Sequence, residues 1–210
     1  MKKILLARLL GLGMMSAQAS DLVTGGDFDG GQGSWIFSDG TVGIANVSAY
    51  INCCGIDGAS YPNTPGAAFF GWGQLVGGTL SQTLSTVAGK TYNVNFAYGA
   101  IADANLQTMT VGVENGAAYV AGGTALSSTN VSAVGTHNQA DLVSPYSFSF
   151  TATGANTTLF FKDTSASSFN TDGMVDNVHV LAAVPEPETY AMLLAGLGLL
   201  SFMARRRRQG

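Results

Sequence analysis

Polar and apolar positions alternate with period two along much of the chain. Thr79 to Leu84 alternates polar and apolar, with Leu80 and Leu84 in one phase, and Tyr92, Val94, Phe96 and Tyr98 fall on one side of the run from Thr91 to Tyr98. Met109, Val111 and Val113 do the same between Gln107 and Glu114, as do Tyr146, Phe148 and Phe150. Thr158 to Phe161 and Met174 to Leu181 complete the series. Period two places one face of each segment in a core and the other toward water. Clusters of Gly, Asn, Asp and Ser separate the runs, and Gly89-Lys90 reads as a turn. This spacing predicts an all-β sandwich. The Ser- and Thr-rich stretches Thr124–Ser132 and Thr164–Thr171 read as long loops. No amphipathic helical period is evident between residues 20 and 183.

The two ends follow other patterns. Met1-Lys2-Lys3 is a positive start, Ile4 to Met15 is an apolar run broken by Arg8, and Ala17-Gln18-Ala19 is a small-residue cleavage site. Residues 1–19 therefore read as a signal peptide, with signal peptidase cutting before Ser20. The C-terminus reads Val184-Pro185-Glu186-Pro187-Glu188, then an apolar run from Tyr190 to Ala204, then Arg205-Arg206-Arg207-Arg208. At 1.5 Å per residue such a run reaches about 22 Å, short of the roughly 20 residues of an ordinary span. Arginine snorkelling and bilayer thinning make up the difference. Gly196 and Gly198 allow another helix to approach closely. The arginines hold that end in the cytoplasm.

A Pro/Glu motif, a membrane-length helix and a basic stop, in that order over residues 184–210, resemble the sorting signal of the PEP-CTERM proteins of Gram-negative bacteria. The resemblance implies that Pro185, Glu186 and Pro187 are read by an exosortase-type membrane transpeptidase. It also implies that Arg205, Arg206, Arg207 and Arg208 form the membrane stop. The chain would be anchored in the inner membrane before processing, then released to the cell surface or extracellular matrix. Retention of the tail as a permanent anchor is the alternative.

Charge sharpens the picture of residues 20–183. Only Lys90 and Lys162 stand there against eleven acidic side chains, a net charge of −9. With no basic patch, nucleic acid is excluded as a partner. Few charges and an acidic balance suit neutral ligands, divalent cations or solubility outside the cell. Cys53 and Cys54 are adjacent. An exported chain can hold a disulfide, but one between neighbours is a strained ring. The readings are a vicinal bridge pinning the loop, free thiols, or bonds to a second chain.

Several segments resemble the galactose-binding-like jelly rolls, especially carbohydrate-binding modules of the family 4/9/22 type. These are Gly26-Asp27-Phe28-Asp29, Trp35, Leu80 to Leu84, Ala88 to Phe96, and Val175-Asp176-Asn177-Val178-His179-Val180. The chain departs from that pattern at Gly25, often Asn, and at Asp29, often Glu. The resemblance implies a structural calcium held by Asp29, Asp27 and Asp176. Alternation puts Asp176 on the face of Val178 and Val180, so it needs a partner at the core edge. A turn-capping Asp is the competing reading. Trp35, Tyr61, Phe69, Phe70 and Trp72 could stack on sugar rings, with Gln74 taking hydroxyls. Trp35 and Phe70 suit a core better, so the candidate ligand residues are Tyr61, Trp72 and Gln74.

Catalysis has little support. His137 and His179 have no nucleophile elbow to serve, since no G-x-S-x-G is present. The sequence thus predicts an exported, non-enzymatic surface or matrix protein associated with exopolysaccharide in a biofilm, by binding carbohydrate. A purely structural envelope protein and a glycan-active enzyme are the alternatives.

Overall fold

The computed structural model describes residues 19–38, 42–45, 66–102, 104–135, 144–183, 194–198 and 203–206. The chain divides into two compact units, Ser20–Ala183 and the two ends, Met1–Ala19 with Val184–Gly210. In the latter, residues 194–198 and 203–206 are helical. Among the described residues no helix is long and apolar enough to cross a membrane.

The described residues of Ser20–Ala183 form ten strands. They are β1 (Ile36–Phe37), β2 (Val42–Ala45), β3 (Ala67–Phe70), β4 (Thr79–Ser85), β5 (Thr91–Ala102), β6 (Leu106–Asn115), β7 (Ala125–Val134), β8 (Ser144–Thr151), β9 (Asn156–Asp163) and β10 (Thr171–Ala182). A short 3-10 turn, Trp72–Gln74, follows β3. Two five-stranded sheets result, in the orders β1-β4-β9-β6-β7 and β2-β3-β10-β5-β8. Neighbouring strands are antiparallel throughout.

The predicted alternation builds the core. Leu80, Leu84, Met109, Val111, Val113, Leu159 and Phe161 of the first sheet face Tyr92, Val94, Phe96, Tyr98, Val175, Val178 and Val180 of the second. Each large apolar side chain buried this way contributes roughly 1.5–3 kcal/mol. Trp35 closes one side. Its ring lies 5.4 Å from Phe28 and 6.0 Å from Phe161, and its Nε1–H donates to the Gly25 carbonyl at 2.9 Å.

The stretch read as a loop from Thr124 to Ser132 is instead β7, paired along its length with β6. Its Ser, Thr and Asn residues obscured the pattern, because this edge strand buries only Val131 fully. Its polar side chains bond across strands, with Thr110 Oγ1 donating to Asn130 at 2.8 Å and Ser127 Oγ to the Ser149 carbonyl at 3.1 Å.

Candidate functional site

The second sheet carries unusual chemistry on its outer face. Along β10, Val175 pairs with Tyr98 and Asp176 with Ala97, but the next register pair is His179 with Asn95. The extra residue is a bulge at Asn177, whose φ is 52°. A bulge shifts the alternation by one position. Val175 and Val178 therefore both reach the core, and Asp176 turns to the outer face. This corrects the expectation that Asp176 shares a face with Val178 and Val180.

Asp176 is only 1% exposed. Its Oδ1 accepts from the Asn177 backbone N–H at 2.7 Å, and its Oδ2 from Asn177 Nδ2 at 3.2 Å. Burial pushes the carboxyl up to about 7, and the negative charges of Asp29 and Asp27 add to this. The Asn177 N–H and His179 act in the opposite direction. The sandwich thus brings the three predicted acids, from the Gly26–Asp29 turn and from β10, into one electrostatic neighbourhood.

Glycines make that proximity possible. Val178 N–H donates to the Gly26 carbonyl at 2.9 Å. A Cβ on Gly26 would strike the Val178 carbonyl, and one on Gly66 would strike the Phe28 carbonyl. Asp29 Oδ1 accepts from the Gly66 N–H at 3.1 Å. An all-oxygen set of carboxylates and nearby carbonyls suits a hard cation such as calcium. Among the described residues, however, no three His, Cys, Asp or Glu side chains converge to ligate one ion. A cation here would draw on backbone oxygens or water as well.

An open groove of about 450 Å³ lies beside the bulge, lined by Asn95, Ala97, Pro145, Tyr146, Ser147 and Asn177. His179, Asn95 and Ser147 stand in register across β10, β5 and β8. His179 is fixed by Asp21, whose Oδ2 lies 2.6 Å from Nδ1 and whose Oδ1 accepts from the Val180 N–H at 2.9 Å. The result is a row of hydrogen-bonding groups over a floor of Ala97 and Pro145. Asn95 follows the polar phase of β5, so alternation could have found it. Asn177 was missed because a bulge leaves no periodic trace.

The other candidates fall elsewhere. Tyr61, Cys53 and Cys54 lie outside the described residues, as do Pro185, Glu186, Pro187, Arg207 and Arg208. Arg205 and Arg206 lie in a helical turn. The Trp72 backbone opens the 3-10 turn. Gln74, in the same turn, donates from Nε2 to Asn170 Oδ1 at 3.4 Å. Asn170 adjoins the start of β10, roughly 20 Å from the bulge at 3.3 Å per residue, so Gln74 does not join the groove. Trp35, Phe69 and Phe70 are all buried and offer no face to a sugar.

This two-sheet antiparallel sandwich resembles those of solved proteins of several kinds. It is similar to a tandem pair of family-22 modules from Paenibacillus barcinonensis, at 11% identity and a TM-score of 0.50, covering 81% of this chain and 48% of that one. It is also similar to a Stig cyclase from Fischerella sp. TAU, at 15% identity and a TM-score of 0.53, covering 80% of this chain and all of the other. An arabinose-bound GH51 α-L-arabinofuranosidase shares it at 12% identity and a TM-score of 0.52, over 79% of this chain and 27% of that enzyme. At such identities the likeness is one of fold. No curated protein sequence matches the chain. Residues 183–208 match the PEP-CTERM protein-sorting motif, and the chain carries that signal at its C-terminus.

Proposed function

We propose that this chain is an exported, non-enzymatic polysaccharide-binding sandwich, delivered to the cell surface or matrix through its PEP motif and processed there by an exosortase. The observation that carries the binding reading is the groove beside the bulge. Its amides and hydroxyl, Asn95, Asn177 and Ser147, can exchange hydrogen bonds with sugar hydroxyls, while Ala97 and Pro145 meet an apolar ring face. Asp29 and Asp176, with Asp27 nearby and backbone oxygens or water completing the shell, would hold a calcium ion that fixes the first turn against β10. That ion, when bound, neutralises carboxylates that burial and mutual repulsion otherwise oppose.

Glycan arrays followed by affinity electrophoresis test the reading. Asn95→Ala should weaken retention on the best neutral polysaccharide by roughly 5–30-fold, the loss of one or two hydrogen bonds. Asn177→Gly should do the same without backbone strain, since glycine accepts the positive φ. Unchanged retention in both variants would place the ligand elsewhere. A structural envelope role is the second reading, favoured by the groove's two aromatic rings, Phe96 and Tyr146, which stack on each other and pack against the core. Failure of the wild type to bind any glycan would support it.

A further inference from the structure

Four strands, β1, β7, β2 and β8, form the edges of the two sheets, and they are not equally protected. An edge offers unpaired backbone groups to other chains, and proteins guard it with short strands, lysine, proline or a cover. β1 has two residues and β2 four. β8 is longer but carries Pro145, which has no N–H to offer. β7 has ten residues, none of them proline or charged. Among the described residues the backbone on its free side has one partner, the Tyr146 hydroxyl, which donates to the Ser132 carbonyl at 3.3 Å.

That bond shows which residues face outward. Ser132 turns its backbone groups away from β6, and these directions alternate along an antiparallel strand, so Ser128 and Asn130 do the same. A register shift between Val113 and Glu114 places a bulge near Leu126, and the regular stretch runs from Ser127 to Ala133. In side-chain type that stretch is a palindrome about Asn130. Ser128 mirrors Ser132, Thr129 mirrors the similarly branched Val131, and Ser127 mirrors Ala133, both small. Antiparallel pairing of two such strands about a two-fold axis sets each residue opposite its mirror. Outward-facing backbone groups then meet outward-facing ones. The exposed Ser128, Asn130 and Ser132 meet polar side chains, and Thr129 covers the buried Val131. Thr110 already donates to Asn130 Oδ1 at 2.8 Å, which leaves Nδ2 to reach across the axis.

We propose that β7 pairs with the β7 of a second copy of this chain, antiparallel and centred on Asn130, and so joins two five-stranded sheets into one. The mirrored order of the strand is what selects a copy over another partner. β7 is uncharged while the sandwich as a whole is acidic, so repulsion between copies comes from outside the strand and salt screens it. Pairing therefore tightens with salt. A pair carries two of the grooves beside the bulge, and the pairing holds whatever those grooves bind.

Disulfide trapping in the full chain tests partner and register together. Cys53 and Cys54 are replaced by Ser, single cysteines are introduced, and the chain is oxidised mildly in non-ionic micelles. Micelles are kept in excess over chains so that the tails do not gather copies. Asn130→Cys should link to its own copy. Ser128→Cys and Ser132→Cys, mixed, should link to each other several-fold better than either links to itself. Mirrored residues lie about 5.5 Å apart, within the roughly 4.4–6.8 Å that a disulfide spans between Cα atoms. Residue 128 and its own copy lie about 14 Å apart. Lys90→Cys, on an exposed turn, should stay at background. Added salt should raise the specific yields. Asn130→Lys sets two like charges face to face and should cut the 128–132 link by roughly tenfold, with circular dichroism showing the sandwich folded. Should that variant fail to fold, Asn130→Asp takes its place. No link at 130, equal yields at 90 and 130, or equal yields for matched and mismatched pairs would overturn the proposal.

Discussion

Asp163 and Asp172 show how little separates a settled charge from an unsettled one. Both are buried, yet two backbone N–H groups meet the first, while burial raises the carboxyl of the second. The consequence for stability has a definite sign. The folded state holds the Asp172 proton up to about pH 7, whereas the unfolded chain releases it near 3.8. Between those values the native state binds more protons, so stability falls as pH rises. At 1.36 kcal/mol per unit the loss approaches about 4 kcal/mol. Urea denaturation should find Asp172→Asn about 2–4 kcal/mol more stable than wild type at pH 8, and close to it at pH 4. Asp176 differs in having acidic neighbours, and there calcium supplies the test. Binding to the folded state alone adds roughly 2.7 kcal/mol at a hundredfold excess over Kd. That is about 5–10 °C in melting temperature for a domain of this size. Chelator should remove the gain in wild type, and Asp176→Asn should not respond. A wild-type midpoint unmoved by chelator would leave Asp176 as a backbone cap.

At the scale of elements, β10 carries most of what positions the site, and its bulge is the feature that alternation cannot register. Five of the predicted strands appear with longer ends, and Thr79–Leu84 is β4 almost to the residue. They were legible because one face is apolar and the other polar. β7 was illegible because an edge strand lying over β8 needs little apolar surface. The short β1 and β2 offered too few residues for any period to show. Asp27, Asp29 and Asp176 could be named from the sequence, but their electrostatic proximity depends on close backbone approach at Gly26 and Gly66. The bulge itself is testable through its strained residue. Asn177→Val places a β-branched side chain at a positive φ and should destabilise the domain by roughly 1–3 kcal/mol. Asn177→Gly relieves that strain, so in chemical denaturation it should stay near wild type while the valine variant falls below it.

The whole molecule separates its charges by purpose. Seven of its nine basic residues lie in the two ends, and the sandwich keeps eleven acids with two lysines. A tail carrying four consecutive arginines resists passage across the membrane, while an acidic sandwich with few lysines meets no such bias. The sorting motif at residues 183–208 begins as β10 ends, so the domain is complete before the tail starts. Among the described residues, every strand pairing and the apolar core fall within Ser20–Ala183, and removal of both ends costs the sandwich no described strand. Processing at both ends is therefore compatible with a stable product. Intact-mass analysis of the native protein should find a chain beginning at Ser20 and lacking Arg205 to Arg208. Replacing Glu186 should leave the tail in place if the motif is what the exosortase reads, and uncleaved protein should then remain with the membrane fraction. A native species that keeps all four arginines while the Pro-Glu-Pro motif is intact would make the tail a permanent anchor. The groove would then be held near the membrane instead of being carried out into the matrix.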